Sequence, residues 1–299
     1  VTLHSGSAPD QQNRHLCLFA TSKFFALRDT RRYEHNFSHE GNLVGSIVGT
    51  YTDGVLFSGE RAPFCGFDLT RDHWGPEIID AMVRTVLNTY AEIRCKPPSW
   101  SGCEAAVQVA LARAGFEVRG AELNYWLGLP TRVEEYVAGL KPEARRALKH
   151  TDGVFRSRVL ARDDHKGWAR AYHVLAANRE AKGRPISLTL DYVLAIREAF
   201  PDLVRMVVTE DLFGIAAAAL VYRVGVRRDM VQFWGDNPGV EGRSPMNVLA
   251  RDVVGHCIDT GARTLDLGIS TENGRPNGGL CQFKRSIGAK PEVRVVMAR

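Results

Sequence analysis

The residues whose types and spacing are best suited to chemistry lie near the end of the sequence. They are Leu265-Asp266-Leu267-Gly268-Ile269-Ser270-Thr271, Gly274-Arg275-Pro276-Asn277-Gly278-Gly279-Leu280 and Gln282-Phe283-Lys284-Arg285. The pattern predicts a strand ending at Gly268, a polar loop, and a helix starting near Gly279. Glycines there let the backbone approach a ligand and leave amide N–H groups at a helix N-terminus. Lys284, one turn into that helix, is placed to stabilise a developing oxyanion or to hold a phosphate; a surface lysine is the competing reading. A second candidate is Gly242-Arg243-Ser244-Pro245, where Ser244 suits an N-cap and Pro245 the first helical position. Arg243 and Ser244 would then bind the phosphates of a donor substrate. Trp234-Gly235-Asp236-Asn237 closes a predicted strand. Asp236 is a candidate to take the proton of an attacking amine or to anchor its ammonium group, against a plain turn role for Asp and Asn. Trp234, Asn237 and Arg179 are candidates for an acceptor pocket, and Asp266 for support of the loop above it.

Composition narrows the classes that such residues can serve. The chain has 299 residues, 44% hydrophobic and 24% charged, which excludes a disordered or collagen-like chain and is long enough for two domains. No apolar run reaches the length of a membrane span. The run His15–Leu27 contains Lys23 and lacks a basic leader, so it does not read as a signal peptide. Six scattered cysteines without CxxC or zinc-like spacing read as reduced thiols, and a cytoplasmic location is expected. No Ser-His-Asp pattern, P-loop or metal-ligand cluster stands out, so hydrolase and NTPase readings fall away. Between Lys141 and Arg170 nine basic residues face four acidic ones, a net of +5 equal to the excess of the whole chain. Such a patch suits a phosphate-bearing partner.

The elements that must position these residues follow from periodicity and punctuation. The first half predicts a hairpin, Leu43–Tyr51 with Val55–Ser58 about Thr52-Asp53-Gly54, then a helix from Pro76 and a strand near Ile93. A helix Cys103–Ala114 closed by Gly115 and a strand Phe116–Leu129 complete it. One helical segment, Val133–His150, joins the halves. The second half predicts strand Val154–Ala161, helices His165–Ala181 and Leu188–Phe200, and strands Leu203–Val208, Ile215–Val224 and Met230–Trp234. Helix Pro245–Thr260, strand Thr264–Leu267, a short helix Leu280–Ser286 and strand Val293–Met297 follow.

That order, β-α-α-β-β-β-α-β-α-β, resembles the GNAT acyltransferase fold, and a less complete first copy would make an α/β protein of tandem GNAT-like mixed-sheet domains. The expected division is a degenerate domain 1–132, a basic helical junction 133–152 and a second domain 153–299. The chain resembles the FemABX-like tandem-GNAT family, whose best-known members move an amino acid from aminoacyl-tRNA onto an amine. The likeness covers roughly residues 40–299. It is carried by Ala62-Pro63-Phe64-Cys65-Gly66-Phe67, the run Leu140–Lys149, Asn178-Arg179-Glu180-Ala181-Lys182-Gly183, Ser244-Pro245 and the block Asp266–Gly288. The resemblance implies that Phe283-Lys284 matches the family's Phe-Lys pair, with the lysine on the tetrahedral intermediate or the tRNA end. It also implies that Arg145, Arg146 and Lys149 form a basic helix that binds the donor. The chain departs from the peptidoglycan members of that family in having no inserted coiled-coil arm and no glycine-rich final strand, so a lipid-linked wall precursor is the weaker expectation and a small-molecule or peptide amine, as in natural-product pathways, fits at least as well as acceptor. The acyl-CoA loop Arg/Gln-x-x-Gly-x-Gly/Ala is absent before Pro245, although a helix N-terminus binds phosphate without it. The expectation is therefore an N-acyltransferase that uses aminoacyl-tRNA and no cofactor beyond its donor. An acyl-CoA enzyme and a non-catalytic binding protein on the same scaffold are the alternatives.

Overall fold

The computed structural model describes residues 4–6, 17–27, 32–59, 62–70, 75–97, 104–151, 153–240, 244–272 and 274–299. The chain divides into two compact units, one of Val1–Asn124, Thr271–Arg275 and Glu292–Arg299, the other of Tyr125–Ser270 and Pro276–Pro291.

The first unit begins with β1 (His4–Gly6), a 3-10 turn Leu18–Ala20 and α1 (Ser22–Ala26). Thr21 caps α1 by accepting a hydrogen bond from the Phe24 amide. Strands β2 (Arg32–His39), β3 (Asn42–Thr52), β4 (Val55–Ser58) and β5 (Asp68–Leu69) follow, then α2 (Pro76–Leu87), β6 (Glu92–Cys95) and α3 (Glu104–Arg113). The predicted hairpin is present. Thr52 pairs with Val55, and Asp53 and Gly54 both take positive φ, 51° and 86°, as a tight two-residue turn requires. Pro76 opens α2 as expected, and Gly115 after α3 has φ 88°. Cys103 lies outside the described residues. The expectation is a less complete first copy; among the described residues β1, the 3-10 turn, α1 and β2 precede the hairpin, and the short strand β5 follows it. Phe37, Ile47, Ile79, Met82, Ile93 and Leu111 form its buried core.

Strand β7 (Glu117–Gly128) runs across the division, which falls at 124/125 rather than in a helical junction at 133–152. The predicted single helix 133–150 is two, α4 (Val133–Gly139) and α5 (Pro142–His150). Pro142 explains the break, because the residue before proline is driven out of helical geometry, and Lys141 has φ −61°, ψ 151°. Both helices belong to the second unit and pack on the helix Pro245–Asp259.

The rest of the second unit is β8 (Arg156–Val159), α6 (His165–Ala181), α7 (Leu190–Ala199), β9 (Val204–Asp211), β10 (Gly214–Gly225), β11 (Arg228–Asp236), α8 (Pro245–Asp259) and β12 (Thr264–Ile269). A small ladder, β13 (Thr271–Glu272) with β14 (Arg275–Pro276), replaces the expected open loop before α9 (Gly278–Ser286). The chain ends in β15 (Lys290–Ala298), whose end pairs antiparallel with β6 through Met297–Cys95. Within the second unit the strand order is β7-β12-β11-β10-β9-β8. β10 is antiparallel to β9 and β11, and β11 is parallel to β12. The centre of this sheet is buried because β10 carries Ala216–Tyr222, every one of them buried. α6 packs against β10 and β11, α8 against β9, β10 and β11. Among the described residues no helix is long and apolar enough to cross a membrane.

Candidate active site

Within the second unit the sheet splits at one point. β11 and β12 pair over Arg228–Thr264, Asp229–Leu265 and Met230–Asp266 only. Past that point β11 continues to Asp236 while β12 bends at Gly268, which has φ 74°. The Asp266 carboxylate accepts the Gly268 amide at 2.7 Å, so this buried aspartate does support the loop above it. Two parallel strands that part in this way leave backbone groups and side chains facing an opening between them.

α9 closes one side of that opening. Asn277 caps it, its Oδ1 accepting the Leu280 amide at 2.9 Å, so the helix starts at Gly278 with its first turn oriented. Lys284 is 1% exposed, not a surface residue. Its Nζ donates to the Gly268 carbonyl at 2.7 Å and the Ile269 carbonyl at 3.0 Å, and sits 5.9 Å from the Tyr125 ring centre. The ammonium is thus held at the end of β12, on the edge of the split. Phe283 meets Trp234 of β11 edge to face, ring centres 5.4 Å apart. Phe283 of the expected donor site, Lys284 as the expected catalyst and Trp234 of the expected acceptor site therefore gather at one place.

Asp236 ends β11 half-buried, and the sequence reading missed what holds it. Asn178, buried at the end of α6, donates from Nδ2 to the Asp236 backbone oxygen at 2.8 Å and to its Oδ1 at 2.6 Å. Lys182 Nζ in turn donates to Asn178 Oδ1 at 2.9 Å. The approach depends on Gly235, where a Cβ would stand 2.5 Å from the Asn178 Cγ. A signal was present: Trp168, Ala171, Leu175 and Asn178 share the buried stripe of α6, and a lone amide ending an apolar stripe must find a partner.

Other predicted residues stand elsewhere. The pleat sends Phe233 and Gly235 towards α6 and Trp234 to the opposite face. Arg179 lies with the former, its guanidinium 5.7 Å from the Phe233 ring centre and its Nε donating to the Arg184 carbonyl, so it is not brought together with Trp234. Asn237 performs turn chemistry, its Oδ1 accepting the Gly239 amide at 3.1 Å. Ser244 does not cap α8. Its backbone is left-handed (φ 49°, ψ 45°) where an N-cap residue is extended, and its side chain makes no capping bond. Arg243 lies outside the described residues. Arg145, Arg146 and Lys149 are exposed on α5, which buries Ala144 and Leu148; Arg145 also reaches the Ala138 carbonyl at 2.7 Å.

Among the described residues no group of three or more His, Cys, Asp or Glu is arranged to hold a metal. Cys17, Cys65, Cys95, Cys257 and Cys281 are buried and unpaired in disulfides. Burial pushes the Cys65 thiol up to about 11 and Cys95 up to about 12, so neither is a nucleophile at neutral pH. A cavity of about 370 Å³ opens beside Leu129, Tyr136 and Gly288. It lies at the other end of β12 from the split, since the Leu129 amide bonds to the Arg263 carbonyl just before that strand begins.

A second sheet half that parts between two parallel strands, with a helix following each, defines a GNAT-type domain. Residues 139–285 match the family described as "Acetyltransferase (GNAT) domain". The whole chain has the FemABX-like tandem-GNAT fold. It superposes on FemX with a TM-score of 0.75 at 11% identity, over 99% of this chain and 96% of that one. It also superposes on the C-terminal domain of a putative lysylphosphatidylglycerol synthetase from Agrobacterium fabrum, TM-score 0.60 at 13% identity, over 93% and 87% of the two chains. A tandem GNAT protein from the clavulanic acid biosynthesis pathway matches at TM-score 0.51 and 10% identity, over 100% and 98%. No curated protein matches the sequence.

Proposed function

We propose that this protein is an N-acyltransferase that passes an aminoacyl group from aminoacyl-tRNA to the amine of a small molecule or peptide. The observation that carries the reading is the buried Lys284 ammonium held at the open end of the β11–β12 split by the carbonyls of Gly268 and Ile269. Acyl transfer from an ester needs no further activation: the amine attacks the carbonyl carbon, the carbonyl oxygen takes up negative charge, and the ribose oxygen leaves with a proton. A cation fixed beforehand beside that oxygen stabilises charge that exists only in the transition state. Asp236, oriented by Asn178, is the group proposed to receive the proton that the amine loses. Phe283 and Trp234 form an aromatic wall against which the adenosine end or the acyl side chain stacks.

Two features favour tRNA over acyl-CoA. The pyrophosphate loop motif is missing before α8, and Ser244 does not shape that helix start as a phosphate-binding cap. The exposed cations of α5 suit a polyanion. The match to FemX and to a lysylphosphatidylglycerol synthetase domain fits the same reading, and the clavulanic acid pathway protein keeps a small-molecule acceptor open. The test is incubation with a mixture of charged tRNAs, or of acyl-CoAs, and amine acceptors. Product formation abolished by ribonuclease supports the proposal. Turnover with acyl-CoA alone moves the donor assignment, and RNA binding without any turnover makes the chain a binding protein.

A further inference from the structure

One buried polar atom stands over at the point where the strands part. Gln232 of β11 is half-buried, and its Oε1 is buried without a hydrogen-bond partner among the described residues. Buried side-chain acceptors are nearly always paired, so an unpaired one calls for a reason.

The backbone at this residue is also irregular. Leu220 of β10 pairs with Phe233 and Val221 with Val231, so Gln232 is the extra residue of a β-bulge. Bulges concentrate beside active sites because they re-aim a side chain. This one falls at the split. The last pair of β11 with β12 is Met230–Asp266, and in the same register Gln232 would be matched to Gly268. The two strands are still close there, since a Cβ on Gly268 would stand 3.8 Å from the Val231 carbonyl oxygen. Gly268 is the residue whose own carbonyl holds the Lys284 ammonium at 2.7 Å. The bulge therefore sets a glutamine on the strand across from that cation, with Trp234 and Asp236 following it along β11.

We propose, resting on the acyl-transfer reading above, that Gln232 determines donor specificity, its Oε1 accepting an N–H from the α-amino group of the aminoacyl donor. That nitrogen is bonded to the carbon next to the reacting carbonyl. A donor whose carbonyl oxygen lies at Lys284 thus carries the N–H into the neighbourhood of the facing strand. An acyl group without an amine brings no hydrogen-bond donor and leaves the oxygen unpaired in the complex. A neutral amide suits the place better than a carboxylate, which would pair with the Lys284 ammonium and neutralise the charge that the transition state needs. The acceptor amine must lose a proton and meets Asp236 further along the strand, so the two amines are told apart by position and by charge.

The test compares two donors on the full chain: an aminoacyl-tRNA from the charged mixture, and the same tRNA esterified with the deamino form of that acid. The unaltered protein should favour the amino form roughly 10–100-fold in kcat/KM, as one buried acceptor left unpaired implies. Gln232→Leu should lose this preference, reacting more slowly with the amino form and at least as well with the deamino form. Because it removes an unpaired buried oxygen, its melting temperature should equal or exceed the parent's. Gln232→Glu keeps the acceptor, so it should keep the preference while kcat falls through pairing with Lys284. Equal use of both donors by the unaltered protein overturns the proposal and leaves acyl transfer intact, as does an undiminished preference in Gln232→Leu or its loss in Gln232→Glu. A clear drop in the melting temperature of Gln232→Leu would assign the side chain to the fold and overturn it too. Turnover of neither donor by the unaltered protein is a separate result, in which the acyl-transfer reading itself fails and takes this assignment with it.

Discussion

Replacing Lys284 by Met separates the two roles the structure gives this side chain. Methionine keeps most of the apolar stem and removes the ammonium. In the folded protein that leaves the Gly268 and Ile269 carbonyls without the donor they now share. An unsatisfied buried acceptor costs about 1–3 kcal/mol, and relief from burying a charge offsets part of the sum. A net loss of about 2–3 kcal/mol is expected, or a fall in melting temperature of roughly 4–12 °C. The catalytic effect should be larger and of a different kind. Loss of a preformed oxyanion donor lowers turnover about 10²–10³-fold. Because the charge it meets appears only in the transition state, kcat should fall while KM changes little. The assay is steady-state aminoacyl transfer well below the variant's melting temperature, with the melting curve recorded on the same preparation. Turnover within about threefold of the parent, together with the expected melting shift, would show that Lys284 only pins α9 to β12. The proposed mechanism would then have no oxyanion stabiliser.

Other consequences can be checked independently. Gly235→Ala drives a methyl group into Asn178 and should destabilise the protein by about 1–3 kcal/mol while lowering turnover through Asp236; Asn178→Ala at the same site should lower turnover with less loss of stability, both read by melting and kinetics. Reversing Arg145, Arg146 and Lys149 to Glu on the exposed side of α5 should weaken tRNA binding and flatten its dependence on salt with the melting temperature unchanged; RNA affinity equal to the parent's would favour acyl-CoA as donor. Burial raises the Asp68 carboxyl to about 6 in the folded first unit, so the folded state holds this proton more tightly than the unfolded one. The contribution is full below about pH 4 and is lost as pH rises through 6, so Asp68→Asn should remove a fall in stability over that window, read as melting temperature against pH.

Most of the second unit was legible because its punctuation is local. Asp164 caps α6 and Pro245 opens α8 where residue type alone places them. The near-continuous apolar runs and the lengths of β9–β11 mark a three-stranded meander, although the strands run further than their apolar cores: β11 reaches back to Arg228, whose neighbour Asp229 is buried against Arg205 and Arg223. A buried acid between two arginines looks like a turn in sequence and is a strand in the fold. The same limit hid β2, Arg32–His39, whose polar and aromatic residues carry no clear alternation and gain their order from pairing with β3. Ser244 shows the opposite failure: the right residue type at the right position does not cap, because capping depends on the backbone angle at which the chain enters.

The candidate site divides along the same line. Phe283-Lys284 was legible as a motif, and its neighbour Trp234 as a strand end, but that they meet follows only from how β11 and β12 part after three paired positions. Asn178 was visible as part of a run and still passed over, since its function is defined by a strand 58 residues away and by the missing side chain at Gly235. The assignment of strands to units was beyond reach for the same reason. β7 and β15 each read as the closing strand of their own half, yet the end of β7 from Tyr125 onward belongs to the second unit and Glu292–Arg299 to the first. Periodicity states that a strand exists and which of its faces is apolar. It carries no information on which sheet edge that face will complete.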